Sequence, residues 1–297
     1  MPEFRGVFVA VITPMTAEGK LNEPAFRKVI EYNIQSGVQG FWLAGGSGES
    51  VLLDDDENRR IAELAVDQGA GRAINIMHVG APTTARAAKM AETAARVGVD
   101  AICCVPPFFY RVSDDDVAEH YRVVAEAAGL PLLVYNLPQC TGVEITPGLM
   151  EKIRERVPQL AGLKHSAPFI PHVRDFARMG LSCLIGNSRL LLPALTIGAT
   201  GVVDGPPALA PDKWVSIWDA YQEGDLKRAE KAQEEASQVV DLFLIAGYLA
   251  AAKLLIGDRL GIDCGHPRPP QHPLTDEQSE EVRREAARLD LGKVTIA

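Results

Sequence analysis

The 297-residue sequence has little that would direct the protein to nucleic acid or to a membrane. Its 30 lysine and arginine residues are outnumbered by 39 aspartates and glutamates, and no basic arm breaks this balance. An acidic surface repels phosphate backbones, which argues against a nucleic-acid partner. The first five residues lack the basic and apolar parts of a signal peptide. The longest apolar region, residues 239–256, contains Asp241 and Lys253 and therefore predicts a packed helix rather than a membrane span.

The sequence also lacks the cysteine and histidine patterns of disulfide frameworks and metal centres. Its five cysteines form no C-x-x-C pair, which favours free thiols in a reducing cytoplasm. Adjacent Cys103 and Cys104 lie in a strand-like run, so their side chains should point to opposite faces. None of the six histidines has metal-ligand spacing, and the acidic runs 54–57 and 114–116 are expected to begin helices. We therefore expect neither a metal ion nor an organic cofactor.

Short apolar runs alternate with amphipathic segments over the first three quarters of the chain. Eight strand and helix pairs of this kind predict an α/β fold, a parallel (β/α)₈ TIM barrel. A doubly wound open sheet is the alternative, and the absence of a G-x-G-x-x-G motif after the first strand disfavours it. The predicted strands cover residues 7–13, 40–44, 73–79, 101–105, 132–136, 160–164, 183–186 and 201–203.

The strand pattern stops near residue 224. Beyond it, two long helical stretches flank a proline-rich turn at residues 266–270. The sequence thus predicts two parts, a catalytic barrel over residues 1–224 and a C-terminal helical region over residues 225–297.

Active sites of parallel barrels lie at the C-terminal ends of the strands, and the residues at those ends form the candidate set. One lysine, one tyrosine and a glycine-rich loop with a hydroxyl occur together there, a combination that favours carbonyl chemistry through an amine. The candidate catalytic residues are Lys164 and Tyr135, and the candidate substrate-binding residues are Gly46, Ser47, Gly48, Tyr110, Gly186, Arg189 and Val203.

The two candidate catalytic residues each have a structural alternative. Lys164 ends an apolar run, and burial of a lysine favours the neutral, nucleophilic amine. The alternative is a lysine at a strand end that extends its charge to water. Lys253 is a second lysine in apolar surroundings, but it lies in the helical region and is expected to be structural. Tyr135 ends the preceding strand, either as a proton shuttle or as an amphipathic residue at the barrel rim.

The substrate-binding candidates are also open to two interpretations. The loop at residues 45–49 offers backbone N–H groups and the Ser47 hydroxyl to a carboxylate, although glycine-rich turns between strands and helices are common. Arg189 follows the seventh predicted strand, where its guanidinium would bind a distal carboxylate of an acidic acceptor. Alternatively, Arg189 begins the next helix and points to solvent or to a neighbouring subunit.

Seven short motifs occur in order at residues 10–14, 45–49, 105–110, 135–138, 141–142, 162–164 and 267–270. Together they resemble the dihydrodipicolinate synthase and N-acetylneuraminate lyase family of class I aldolases over essentially the whole chain. The resemblance implies that Lys164 forms a Schiff base with a 2-oxo acid such as pyruvate and that Tyr135 relays protons. It also implies that Ser47 and the neighbouring amides hold the carboxylate, that an aldehyde is the second substrate, and that the protein is a homotetramer.

Departures from the family pattern bear on the substrate. The synthase has a threonine where this chain has Gly46, a tyrosine donated across an interface where it has Phe109, and an arginine where it has Cys140. The lyase has an acidic pair where Ser188 and Arg189 stand here. The stretch 77–80 and the aromatic run 108–110 resemble the lyase branch more than the synthase branch.

The sequence thus favours an aldolase or lyase that makes or breaks a carbon–carbon bond next to the carbonyl of a 2-oxo acid. The alternatives within the enzyme class are 4-hydroxy-tetrahydrodipicolinate synthase and a dehydratase of a 2-oxo-3-deoxy sugar acid that uses the same lysine. A third alternative, from a different class, is a catalytically silent barrel that binds 2-oxo acids. Intact Lys164 and Tyr135 argue against it, because binding alone needs no buried amine.

Overall fold

Residues 3–296 are described by a computed structural model in which eight parallel strands close into a barrel. Each strand pairs with the next, and β8 pairs with β1 to complete the circle. The predicted TIM barrel is therefore confirmed. The strands are β1 (Gly6–Ala10), β2 (Gly40–Leu43), β3 (Ile74–His78), β4 (Ala101–Cys104), β5 (Leu132–Asn136), β6 (Leu160–His165), β7 (Ser182–Ile185) and β8 (Gly201–Asp204).

The strands are buried on both faces, as parallel strands covered by helices must be. Alternate residues of each strand enter two separate apolar clusters, one that fills the barrel and one between the sheet and its helices. Cys103 packs inside with Phe8 and Trp42, whereas Cys104 packs outside with the helices. The predicted opposite orientation of the two cysteines is confirmed.

Helices connect successive strands and form the outer layer. They are α1 (Glu23–Gln35), α2 (Asp55–Gly69), α3 (Thr84–Val97), α4 (Asp114–Ala128), α5 (Pro138–Thr141), α6 (Pro147–Arg156), α7 (His172–Arg178), α8 (Leu191–Thr196) and α9 (Pro211–Gln222).

The acidic runs begin helices, as predicted. Asp54 and Glu57 form a capping box at the start of α2, and Ser113 and Asp116 form another at the start of α4. These side chains hydrogen-bond the free N–H groups of the first turn, so the carboxylates stabilise helix ends.

Three further helices follow α9, namely α10 (Leu226–Ala246), α11 (Tyr248–Leu260) and α12 (Asp276–Arg288). One apolar cluster contains residues from β1 and from α12, so these helices share packing with the barrel. The division of the chain into domains at residue 224 stays a prediction.

The prediction of a single helix over the apolar region 239–256 was wrong. The chain bends by 120° between α10 and α11 at Gly247, whose φ of 84° is readily available only to glycine. Within residues 3–296 no single helix has the length and hydropathy of a membrane span, although α10 and α11 taken together would pass that test.

Candidate active site

Lys164 lies near the C-terminal end of β6, with Tyr135 of β5 and Leu184 of β7 as its register partners. The residue is 3% exposed. Its Nζ atom lies 4.6 Å from the centroid of the Tyr135 ring and 5.4 Å from that of Trp42 in β2. The lysine therefore crosses the barrel interior from β6 toward β2, and aromatic faces enclose its amine. This is the end of the barrel where enzymes with a parallel (β/α)₈ fold bind substrate.

Gly186 makes room for this lysine. A Cβ atom at position 186 would overlap Ser166 Oγ and lie 3.1 Å from Lys164 Cε. The structure thus places this candidate substrate-binding residue directly against the candidate catalytic lysine. Any side chain at position 186 would displace the lysine or the serine beside it.

Tyr135 is the second buried polar residue of the site. Its ring makes edge contacts with Trp42 and His78, at centroid distances of 5.4 Å and 6.1 Å. These contacts fix the ring, and its hydroxyl points to the loop after β2, where a Cβ atom at Gly46 would lie 3.9 Å from Tyr135 Oη. The absence of a side chain at position 46 leaves space beside the phenol.

The loop after β2 begins with a 3₁₀ turn, Gly46–Gly48, which contains three of the candidate binding residues. The Thr13 hydroxyl donates a hydrogen bond of 2.8 Å to the Gly48 carbonyl and so joins the loop to the segment that follows β1. A Cβ atom at Gly48 would lie 3.2 Å from the Val11 carbonyl, which explains the close approach of the two backbones. The turn therefore has a defined position relative to Lys164 and Tyr135.

Glu49 anchors the end of this loop to the C-terminal region. Its carboxylate forms an ion pair with the Lys253 ammonium at 2.5 Å and accepts a hydrogen bond of 2.5 Å from the Arg268 backbone N–H. Lys253 also donates to the His266 carbonyl at 2.9 Å, and its side chain is 1% exposed. Burial lowers the pKa of Lys253, and the bond to Glu49 opposes that shift. All these contacts give Lys253 the structural role expected of it.

His78 is a residue of the site that was not among the candidates predicted from the sequence. It is buried beside Tyr135, and its Nδ1 atom lies 3.1 Å from Ser50 Oγ. Burial, reinforced by the positive charge of Lys164, lowers the pKa of His78 to about 4. The imidazole is therefore neutral at physiological pH. Trp42 was also missed, because a tryptophan in an apolar strand carries no sign of its partners.

The ends of β7 and β8 meet through Asp204. Its carboxylate accepts hydrogen bonds from the backbone N–H groups of Ser188 and Gly205, at 2.9 Å and 2.8 Å. Val203, one residue earlier, is fully buried in the barrel interior. These bonds hold the two loops together on the side of the barrel next to β1.

Within residues 3–296, no hydrogen bond, ion pair or ring contact joins Arg189 or Tyr110 to Lys164. The Arg189 guanidinium pairs with Asp241 of α10, so it ties the β7 loop to the C-terminal helices. Tyr110 is 75% exposed and stacks edge-on against Phe109 at 5.0 Å. Their roles in substrate binding stay predictions. The same part of the chain holds no group of three or more potential metal ligands.

Known proteins are similar to this chain in sequence and in fold. The model of the Dihydrodipicolinate synthetase family matches residues 3–289. The chain belongs to that family. A 4-hydroxy-tetrahydrodipicolinate synthase from Syntrophus aciditrophicus is 28% identical over 284 residues, covering 95% of this chain and 97% of the relative. An N-acetylneuraminate lyase from Escherichia coli is also 28% identical, over 290 residues that cover 96% of this chain and 97% of the relative.

Solved structures agree with this assignment. A putative dihydrodipicolinate synthetase from Pseudomonas aeruginosa superposes with a TM-score of 0.91 at 28% identity, covering 96% of this chain and 99% of that one. The resemblance inferred from the motifs is thus confirmed, and the chain is a member of a family of aldolase-type lyases. Because the synthase and the lyase are equally similar, sequence identity does not choose between their reactions.

Proposed function

We propose that the protein is a class I aldolase, a carbon–carbon lyase that acts on pyruvate or a related 2-oxo acid through an imine at Lys164. The observation that carries the proposal is the position of the Lys164 amine. It is buried against the rings of Tyr135 and Trp42, at the end of the barrel where substrates bind. A lysine that only extended its charge to water would not be enclosed in this way.

In the proposed reaction the neutral amine attacks the carbonyl carbon of the 2-oxo acid, and water leaves to give a protonated imine. The imine withdraws electrons from the bond between the third and fourth carbons. That bond breaks as the hydroxyl on the fourth carbon loses its proton, which releases an aldehyde and leaves an enamine. Protonation of the enamine and hydrolysis then return pyruvate and the free lysine.

Tyr135 is the proposed proton relay, because its ring lies against the Lys164 amine and its hydroxyl reaches the glycine-rich loop. The Ser47 hydroxyl and the amides of the turn at Gly46–Gly48 are the proposed ligands of the carboxylate, since N–H and O–H groups at such a turn stabilise an anion. Gly186, beside Lys164 Cε, and Val203, in the apolar interior of the barrel, are two further proposed substrate-binding residues.

The departures at the loop and rim separate this chain from the two named activities. Position 46 carries no hydroxyl next to Tyr135. Phe109, which is 86% exposed, stands where the synthase has its donated tyrosine. Cys140, exposed after β5, stands where the synthase has an arginine. The lyase's acidic pair is replaced by Ser188 and by Arg189, which pairs with Asp241. We therefore propose a 2-oxo acid substrate other than those of the synthase and the sialate lyase.

A product assay tests the proposal. A panel of 4-hydroxy-2-oxo acids is incubated with the protein, and pyruvate and aldehyde are measured by mass spectrometry. We expect pyruvate release that is abolished in Lys164→Met and retained in Lys152→Met, which removes an exposed lysine of α6. Pyruvate release that survives Lys164→Met would contradict the proposal. Loss of water with the carbon chain intact would identify the dehydratase instead.

The proposal includes a homotetramer in the cytoplasm that needs no metal or organic cofactor. Light scattering coupled to gel filtration should give four times the mass of one chain, and treatment with a chelator should leave turnover unchanged. A monomer with full activity, or loss of turnover on chelation, would contradict these parts.

A further inference from the structure

Tyr248 brings a hydroxyl to the glycine-rich loop from outside the barrel. It is the first residue of α11, directly after the bend at Gly247. A Cβ atom at Gly205, after β8, would overlap Tyr248 Oη and lie 2.7 Å from Ser47 Oγ. The phenol of the C-terminal region and the hydroxyl of the proposed carboxylate site thus lie next to each other above one glycine.

The Tyr248 hydroxyl is buried, and within residues 3–296 no group lies in the right geometry to complete a hydrogen bond with it. Burial raises the pKa of Tyr248 and the Asp204 carboxylate adds to the rise, while the adjacent Ser47 hydroxyl opposes it. The phenol is therefore neutral and has a proton to donate. Buried hydroxyls without a partner are uncommon in proteins, and one that borders a binding site indicates a ligand that completes it.

The surroundings fix this hydroxyl in place. The Tyr248 ring packs on Phe243 of α10, with ring centroids 5.0 Å apart. Both oxygens of Asp204 already accept backbone hydrogen bonds from Ser188 and Gly205. Gly205 has a φ of −76°, which any residue adopts, so this position needs glycine for space rather than for conformation.

We propose that Tyr248 is a substrate-binding residue that donates a hydrogen bond to a carboxylate oxygen of the 2-oxo acid, beside Ser47. This inference rests on the proposed function, which puts the carboxylate at the Gly46–Gly48 turn. Each of the two hydroxyls has one proton to give, and a carboxylate has lone pairs for both. The C-terminal region would then complete the active site rather than only support the barrel.

The test compares Tyr248→Phe with wild type, because this change removes only the hydroxyl and keeps the ring on Phe243. Pyruvate affinity is measured by titration calorimetry, and imine formation at Lys164 by borohydride trapping. We expect affinity for pyruvate to fall about tenfold or more, the usual effect of losing a charge-assisted hydrogen bond. Affinity for pyruvamide, which has no carboxylate, should change less. Tyr221→Phe is the matched control, since its hydroxyl donates to the Leu195 carbonyl instead.

Equal affinity of wild type and Tyr248→Phe for pyruvate would overturn the role of Tyr248. An equal loss of affinity for pyruvate and pyruvamide would also overturn it, because a carboxylate ligand must discriminate between them. A wild type that binds pyruvate but is not trapped would contradict the imine and leave the Tyr248 comparison intact. A wild type that does not bind pyruvate at all would contradict both.

Discussion

Lys253→Met should destabilise the protein far more than the loss of any surface ion pair. The Glu49 side chain is fully buried and Lys253 is 1% exposed. Methionine keeps most of the apolar stem of lysine but leaves the Glu49 carboxylate with the Arg268 backbone N–H as its remaining bond. Removing one partner of a buried pair costs about 3–5 kcal/mol, because the other charge stays desolvated.

The double variant Glu49→Gln/Lys253→Met separates the pair from the packing around it. With the uncompensated charge removed, the double variant should recover part of the stability lost in Lys253→Met. The coupling in such a cycle should exceed about 1 kcal/mol for residues in direct contact. Since Glu49 follows the Gly46–Gly48 turn, Lys253→Met should also lower turnover while leaving Lys164 in place.

Urea unfolding at pH 7 and fixed protein concentration measures the change in unfolding free energy. Arg283→Met is the control, because its pair with Asp258 is half exposed and should contribute less than about 1 kcal/mol. If Lys253→Met and Arg283→Met destabilise the protein equally, or if the double variant is the sum of its parts, the buried pair does not anchor the loop.

Three further predictions concern the contacts of Tyr135, Arg189 and His78. Tyr135→Phe should lower turnover about 10²–10⁴-fold, the effect of losing one proton-transfer group, with little change in pyruvate binding; full turnover would move the relay elsewhere. Arg189→Ala should leave kcat/KM alike for mono- and dicarboxylate substrates, because the guanidinium pairs with Asp241; selective loss for dicarboxylates would give Arg189 the binding role. The pKa of His78 is about 4 in the folded state against 6.5 unfolded, so the unfolded chain gains a proton first as pH falls. His78 alone should therefore lower the free energy of unfolding by about 3 kcal/mol between pH 6.5 and 4, so His78→Asn should lose less stability than wild type on acidification; equal acid sensitivity would refute this.

Local patterns were enough to predict the barrel. Strands buried on both faces leave short apolar runs, and the capping residues before α2 and α4 mark helix starts within a few positions. Lys164 and Tyr135 were found because each ends such a run, and neighbouring strands bring their ends together. The position of a residue along a strand is a property of sequence, so these parts of the site were accessible to it.

The rest depends on contacts between residues far apart in the chain. Nothing near Tyr248 indicates that the bend at Gly247 carries its hydroxyl to Ser47, and the predicted continuous helix would have placed it elsewhere. The sequence places Arg189 directly after a strand, but nothing in it indicates the ion pair that the guanidinium forms with Asp241, 52 residues later. Such pairings are decided by how α10 and α11 pack on the barrel.

The central claim, a covalent lysine imine, is tested most directly by reduction with borohydride in the presence of pyruvate. Peptide mass mapping should find the mass of one reduced pyruvate on the peptide that contains Lys164, and none in Lys164→Met. Labelling of Lys253 instead, or a wild-type protein that stays unmodified at saturating pyruvate, would contradict the account.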